Sequence, residues 1–242
     1  MPSALYIFSD AHLGSASEEK ENQKVENIRR LFDIVKSDGD RMVILGDLFD
    51  FWFEYKHAIP KEYHQVLFML DELVRHGVKI DYVSGNHDFW MDDFFETRMG
   101  LVVHPDCFDM EYGGKRLHLI HGDGLAPADR GYRLLKRILR NRFNIWLYRK
   151  LPPDWAIPLA KAVSGSSREY TSRRDHTFAP DYEKYAARKL NEGFDIVAIG
   201  HLHIPVEKQL DGGTYINTGD FIHHFTYAKL ADGQINLHSL EG

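Results

Sequence analysis

The sequence predicts an α/β fold of two β-sheets packed face to face with helices outside. Three observations carry this. Short apolar runs alternate with longer helical patterns through the first half, short strands joined by Gly-rich turns fill the C-terminal part, and a basic helical insertion interrupts the strand rhythm between them.

Leu5 to Phe8 is an apolar run ending in Ser9-Asp10. Glu18 to Lys36 carries Val25, Ile28, Leu31, Phe32 and Val35 at helical spacing. Met42 to Leu45 is a second apolar run. Tyr63 to His76 is a second helix with Val66, Leu67, Leu70 and Leu73 on one stripe, and Val78 to Val83 is a third strand. Strand, helix, strand, helix, strand implies a partly parallel sheet covered by helices. Phe108 to Tyr112 and Arg116 to Ile120 flank the turn Gly113-Gly114 and read as a β-hairpin. A helix (Asp181 to Asn191) and a strand (Asp195 to Ile199) follow the insertion. Val206 to Leu210, Thr214 to Asn217, Phe225 to Leu230 and Gln234 to Leu240 are then expected as one antiparallel set. One domain over residues 1–242 is expected, with the insertion at 125–174.

The insertion holds eight basic residues and no acid between Arg130 and Pro153. Leu134, Leu135, Ile138 and Leu139 give it helical periodicity, followed by Phe143, Ile145, Trp146, Leu147 and Tyr148. Pro152-Pro153 is expected to end that helix, and Ala156 to Val163 to restart one. A basic amphipathic cap suits an anionic amphiphile or membrane surface, although a solvated basic face over a plain helical core has the same pattern. The aromatic run Phe49, Phe51, Trp52, Phe53 is open to two roles, core packing and flanking of apolar ligand chains.

At 242 residues and 43% hydrophobic content the chain can bury a real core, and 27% charge excludes disorder. The single cysteine, Cys107, excludes an internal disulfide and a zinc site of several thiolates. A net charge of −6 argues against a nucleic-acid binder that works through a basic face. The N-terminus reads as a buried strand and lacks the positive region of a signal peptide, and no apolar run approaches the roughly 18–20 residues of a membrane span. A cytoplasmic protein is expected, with no obligate protein partner evident.

Fourteen histidines prompt a search for metal ligands, and position selects among them. Asp10-Ala11-His12, Gly46-Asp47, Gly85-Asn86-His87-Asp88, His121-Gly122-Asp123 and Gly200-His201-Leu202-His203 each follow a strand. In open α/β sheets the carboxyl ends of strands converge on one crevice. Oxygen and imidazole donors without thiolate suit Mn²⁺, Fe or Zn²⁺, and seven donors suit two ions bridged by one carboxylate. Asp10 and His12 would share an ion if extended, since alternate residues then point the same way. His201 and His203 permit one ion, or two if the segment bends. Asp50 and Asp123 are expected to support ligands, and His223-His224, two strands beyond His203, is open to a place near the site.

This order of motifs, spanning Asp10 to His203, resembles the calcineurin-like metallophosphoesterase superfamily. The resemblance implies a four-layer αββα sandwich of two mixed β-sheets with a helical lid insertion. It implies one divalent ion on Asp10, His12, Asp47 and His203, a second on Asp47, Asn86, His121 and His201, and Mn²⁺ ahead of Zn²⁺ or Fe. His87, oriented by Asp88, would face the phosphate or leaving group. Asp47-Leu48-Phe49-Asp50-Phe51-Trp52-Phe53 and the insertion further resemble the UDP-2,3-diacylglucosamine pyrophosphatases of lipid A synthesis. This implies release of UMP and 2,3-diacylglucosamine 1-phosphate at the cytoplasmic face of the inner membrane. Matching positions for substrate are Asn86, His87, Asp129, Ser167, Thr171, Arg174 and His201. His87, Thr171 and Arg174 depart from the Arg, Asn and Lys of the best-known branch. The alternative is a dinuclear enzyme for another phosphodiester or phosphomonoester, such as a nucleotide.

Overall fold

A computed structural model describes residues 3–127, 130–161 and 175–240. It contains two mixed sheets. The first runs in the order β11-β10-β1-β2-β3-β4, from β1 (Ala4–Phe8), β2 (Gly39–Ile44), β3 (Lys79–Val83), β4 (Val102–His104), β10 (Thr226–Ala231) and β11 (Gln234–Ser239). The second runs β5-β6-β7-β9-β8, from β5 (Cys107–Tyr112), β6 (Lys115–Ile120), β7 (Ile196–Ile199), β8 (Pro205–Leu210) and β9 (Gly213–Thr218). β1 to β4 are parallel, as are β6, β7 and β9, so their carboxyl ends share one edge.

Strand parity builds the layers. In β1, Leu5 and Ile7 face the second sheet and pack with Val43, Val83, Leu117, Leu119 and Ile216. Tyr6 and Phe8 face the other way, onto Ile28, Phe32, Leu70 and Leu73. Those residues belong to α1 (Glu18–Asp38) and α2 (His64–Arg75). The far face of the second sheet packs Val197, Ile199 and Tyr215 on Tyr182, Ala186 and Leu190 of a helix, Asp175–Asn191, labelled α7 below. The result is a four-layer sandwich. A continuous apolar strand needs cover on both faces, and these helices supply it.

The C-terminal strands are the main correction to the sequence reading. They form two antiparallel hairpins, but on different sheets: β8 pairs with β9 in the second sheet, while β10 joins β1 and β11 in the first. A turn signal fixes which strands are hairpin partners and carries no information about which sheet receives the hairpin. The sequence also left unassigned the short β4 and α3 (Phe94–Met99), whose brevity gives no period to detect.

In the insertion, α4 (Arg130–Leu139) and α5 (Arg142–Tyr148) are separated at Asn141, whose side chain caps α5 by accepting from the Phe143 N–H. Pro153 opens the next helix, α6 (residues 153–161), where proline costs no hydrogen bond. α7 begins at Asp175, six residues before the expected start, and carries Pro180 within it.

The aromatic run divides by position. Phe49 and Trp52 are fully buried in the core between the first sheet and its helices, against Tyr63 and Phe95. Phe51 and Phe53 instead pack on Trp90 and on Tyr148 of α5. All four rings are buried, and Phe51 alone of them also lines a cavity under the insertion.

Candidate metal centre

All five motif segments meet at the shared carboxyl edge. The loops after β1 and β2 run side by side: Asp10 N–H donates to the Gly46 carbonyl at 3.1 Å and His12 N–H to the Asp47 carbonyl at 2.9 Å. Across the sandwich, His201 N–H donates to Asp10 Oδ2 at 2.8 Å, and His87 N–H donates to Asp47 Oδ1 at 2.8 Å.

Three overlapping groups of donor atoms result. Asp10, His12 and His203 form the first, Asp47, His121 and His201 the second, and His12, Asp47 and His87 a third that shares a residue with each. In the first, the Nε2 atoms of His12 and His203 face each other at 3.2 Å, and Asp10 Oδ1 lies 3.4 Å from His203 Nε2. In the second, His121 Nε2 stands 3.2 Å from His201 Nδ1, 3.0 Å from Asn86 Oδ1 and 3.4 Å from Asp47 Oδ2. Asp47 Oδ2 is also 3.7 Å from His12 Nε2, which places this carboxylate between the groups.

Five of these residues have left-handed backbone: Asp10, His12, Asp47, His201 and His203. Only two other non-glycine residues among those described share it, Phe225 and Asp232. Such conformations are sparsely populated and persist where surrounding structure over-determines them. The expected extended Asp10-x-His12 is therefore incorrect. The pair converges by turning, and the same bend sends His201 and His203 to different groups.

Close packing explains the neighbouring glycines. A Cβ on Gly85 would collide with Asp47 Oδ1 and stand 2.6 Å from Asp47 N. Gly46 has φ +82°, and a Cβ there would sit 2.7 Å from His121 Nδ1.

Supporting contacts fix the rings. His121 Nδ1–H donates to the Leu45 carbonyl at 2.7 Å, turning Nε2 toward the centre. His87 Nδ1–H donates to the Asp50 carbonyl at 3.0 Å. Asp88, expected to orient His87, instead accepts from Tyr82 Oη at 2.5 Å and from the Gly85 N–H at 2.9 Å. It shapes the Gly85–His87 loop and leaves the ring to Asp50. Asp123 accepts from Tyr132 Oη at 2.7 Å and pairs with Lys136 at 2.9 Å, both on α4 of the insertion. His224 pairs with Asp220 at 2.7 Å, on the loop after β9.

Sequence reasoning missed Glu21 and Lys24 of α1. Buried Lys24 donates to the carbonyls of Ala11 and His12 at 3.1 and 2.7 Å, while Glu21 accepts from the N–H groups of Gly14, Ser15 and Ala16. The signal was present: Lys24 lies four residues before Ile28 on the buried stripe of α1, where a charge needs partners. Asp129, Ser167, Thr171 and Arg174 lie outside the described residues.

The electrostatics are those of a cation site. Burial works to raise the Asp10 carboxyl, but His12 and His203 overcome it and hold Asp10 well below the usual carboxylate range. Asp47 is lowered likewise, against burial, by the charges of His121 and His87. Burial works to lower His12 and His121, and the carboxylates overcome it, pushing His12 up to about 9 and His121 up to about 10. Burial lowers His201 to about 3, with the charge of His121 next, and His87 to about 4. The two carboxylates thus demand positive charge, which protons on His12 and His121 supply and for which a metal ion would compete.

The donor set fits divalent ions. Asp10 Oδ1 is buried with no hydrogen-bond donor among the described residues, yet two imidazole nitrogens lie within 3.7 Å. Donor atoms about 2.0–2.2 Å from a shared cation stand roughly 3–4 Å apart, and the pairs here lie between 3.0 Å (His121 Nε2 to Asn86 Oδ1) and 3.7 Å (His12 Nε2 to Asp10 Oδ1).

A profile of the family described as calcineurin-like phosphoesterase matches residues 4–205. The chain belongs to the calcineurin-like phosphoesterase family, and with that to enzymes that hydrolyse phosphoric esters or anhydrides. Among curated relatives, a protein of Porphyromonas gingivalis named UDP-2,3-diacylglucosamine hydrolase is 29% identical, the alignment covering 100% of this chain and 99% of the relative. A protein of the same name from Aeromonas salmonicida is 30% identical over 72% of this chain and 69% of its own length. One from Haemophilus influenzae is 26% identical over 89% and 90%. Among solved structures, an archaeal phosphodiesterase superposes with a TM-score of 0.52 at 14% identity, covering 98% of this chain and 99% of that one. It shows the shared fold.

Proposed function

We propose that this chain hydrolyses the pyrophosphate bond of UDP-2,3-diacylglucosamine, giving UMP and 2,3-diacylglucosamine 1-phosphate, with two divalent ions, Mn²⁺ foremost. The observation that carries the reading is a cavity of about 250 Å³ that joins the metal centre to the lid. Asn86 and His87 line it at one end. Phe51, Trp90, Leu135, Leu139, Tyr148 and Leu159 make most of the rest apolar, with Tyr132 and Lys136 also in the wall. A phosphate bound at the centre would therefore have apolar walls beside it, the surroundings an acylated sugar needs and a plain nucleotide does not.

In this reading Asp10, His12, Asp47 and His203 hold one ion, and Asp47, Asn86, His121 and His201 hold the other. The pair, when bound, supplies hydroxide at neutral pH and neutralises charge on the phosphate oxygens. The chain's own groups do the positioning. His121 is held in one tautomer by the Leu45 carbonyl, and Asp47 is fixed by the His87 N–H. His87 commits its Nδ1 proton to Asp50, so its Nε2 accepts a proton before it can donate one to the departing phosphate. Asp129, Ser167, Thr171 and Arg174 are proposed to contact the sugar nucleotide. Attack at the phosphorus of the uridylyl group makes a specific mark. Turnover in H₂¹⁸O should place the label in UMP and none in the sugar phosphate, read by mass spectrometry. Label in the sugar phosphate would refute attack at that phosphorus.

The lid also suits a membrane surface. Nine of the eleven exposed large apolar side chains among the described residues lie between Leu134 and Leu159, among them Phe143, Trp146 and Trp155. They share this segment with the run of basic residues that contains no acid. No helix among the described residues is long and apolar enough to cross a membrane. Peripheral binding to the anionic cytoplasmic face of the inner membrane follows, at about 1 kcal/mol per Lys or Arg near the surface. The protein should sediment with vesicles containing phosphatidylglycerol and detach at high salt. Equal sedimentation with neutral vesicles would contradict an electrostatic contribution.

A further inference from the structure

The lid helix is bonded to two of the four loops that carry the second donor group, those after β6 and β3. Tyr132, Lys136 and Arg140 recur every fourth residue along α4 and its C-terminal end, so they share one face. Tyr132 and Lys136 grip Asp123, two residues beyond His121. Arg140 reaches the other loop. Its Nη2 donates to the Gly85 carbonyl at 3.2 Å, while Nη1 donates to the Pro105 carbonyl at 2.9 Å and to Asp106 Oδ1 at 2.7 Å. The guanidinium lies 5.1 Å from the ring centre of Phe89, which confines it from a further side.

Gly85 is the residue that Asp47 packs against and that precedes Asn86. Its N–H is held by Asp88 and its carbonyl by Arg140, so the backbone that aims Asn86 is fixed at both ends, once from the core and once from the lid. A planar five-donor fork spreads these bonds to a carbonyl of one loop and a carbonyl and carboxylate of the next over two nitrogens in a fixed geometry, whereas an ammonium must make them from one atom.

We propose that Arg140 is a positioning residue that couples seating of the lid to closure of the second donor group, Asp47, Asn86, His121 and His201, around its cation. The proposal rests on the reading of that group as a cation site. With α4 seated, the Gly85 peptide is fixed and Asn86 Oδ1 is held toward His121 Nε2. With α4 displaced, the carbonyl loses its lid partner and the Asn86 donor is free to turn away. Partners outside a ligand shell typically change metal affinity about 10–100-fold. Coupling of this kind is reciprocal, so a cation at the second position must hold α4 down by the same factor.

The test titrates the metal-free full chain with Mn²⁺ by equilibrium dialysis and metal analysis, beside Arg140→Ala, Arg140→Lys and Arg149→Ala. Arg149 also ties the lid to the core, through Asp92 at 3.0 Å and over the Phe53 ring at 5.8 Å, but its contacts stand well along their loops from Asn86 and Asp47 and it does not bond the Gly85 peptide. Two ions should bind the unaltered chain. In Arg140→Ala the second should bind about 10–100-fold more weakly while the first is kept, which also reports that the variant is folded. Arg140→Lys should recover part of the loss, and Arg149→Ala should bind both ions as the unaltered chain does. Amide exchange in α4 should slow on adding Mn²⁺ to the unaltered chain and not to Arg140→Ala. Two ions bound with unchanged affinity in Arg140→Ala would overturn the proposal. So would equal weakening in Arg140→Ala and Arg149→Ala, which would mark general loosening of the lid. Fewer than two ions on the unaltered chain would overturn the dinuclear reading itself, and the role of Arg140 with it.

Discussion

Replacing Asp47 by alanine should reduce bound Mn²⁺ from two ions per chain to one or none and lower kcat by roughly 10⁴-fold or more, because the supply of hydroxide at neutral pH fails with the ions. Among the described residues, Asp47 is the carboxylate that lies between the first and second donor groups. Its Oδ2 lies 3.7 Å from His12 Nε2 and 3.4 Å from His121 Nε2, and its Oδ1 anchors the His87 N–H. The loss should also be visible without substrate. A ligand at 100 times its Kd stabilises the state that binds it by about 2.7 kcal/mol, so Mn²⁺ should raise the Tm of the unaltered protein and leave that of Asp47→Ala almost unmoved. Metal analysis and a thermal melt with and without Mn²⁺ check both. A variant that kept two ions would remove Asp47 from its bridging position.

The second large effect is expected in the apolar cavity. Leu135→Glu puts a carboxylate among Phe51, Trp90, Leu139 and Leu159, where acyl chains are proposed to lie. Each CH₂ buried there contributes about 0.8 kcal/mol, so loss of a few methylenes from the wall contact already amounts to a hundredfold in affinity. KM for the diacylated substrate should rise about 100-fold or more, while a water-soluble diester with no acyl chain should change by less than about threefold. Leu135 is partly solvent-exposed on α4, so the variant is not a core cavity mutation and should fold. Equal losses on the two substrates would show the cavity to be structural scaffolding for the metal centre.

Much of this molecule is written locally. The strand ends can be read because an apolar run followed by Gly-Asp or Gly-Asn-His-Asp combines burial, a sharp turn and a polar donor within a few residues. The meeting of those ends then follows from parallel strands, as Asp10 beside Gly46 and Asp47 shows. What could not be read depends on partners distant in sequence. The hairpins β8–β9 and β10–β11 are local, but their separation onto two sheets is decided by β7 and β1. Asp88 stands next to His87 in the chain, and adjacency suggested a pair. The loop turns its carboxylate to Tyr82 instead, and the carbonyl that orients His87 comes from Asp50. Lys24 was overlooked because helical periodicity counts apolar positions, and a buried ammonium held by carbonyls breaks the count. The aromatic run shows the same limit: alternation tells faces apart, and only packing reveals that Trp52 meets the core while Phe51 meets the lid cavity.

The substrate is tested most directly by one comparison on the Mn²⁺-loaded full chain: the rate of UMP release from UDP-2,3-diacylglucosamine against the rate of cleavage of bis(p-nitrophenyl) phosphate. The lipid nucleotide should be the better substrate by orders of magnitude in kcat/KM, because the metal centre and the lid cavity then act on one molecule. Cleavage of the simple diester with the lipid nucleotide left intact would contradict it.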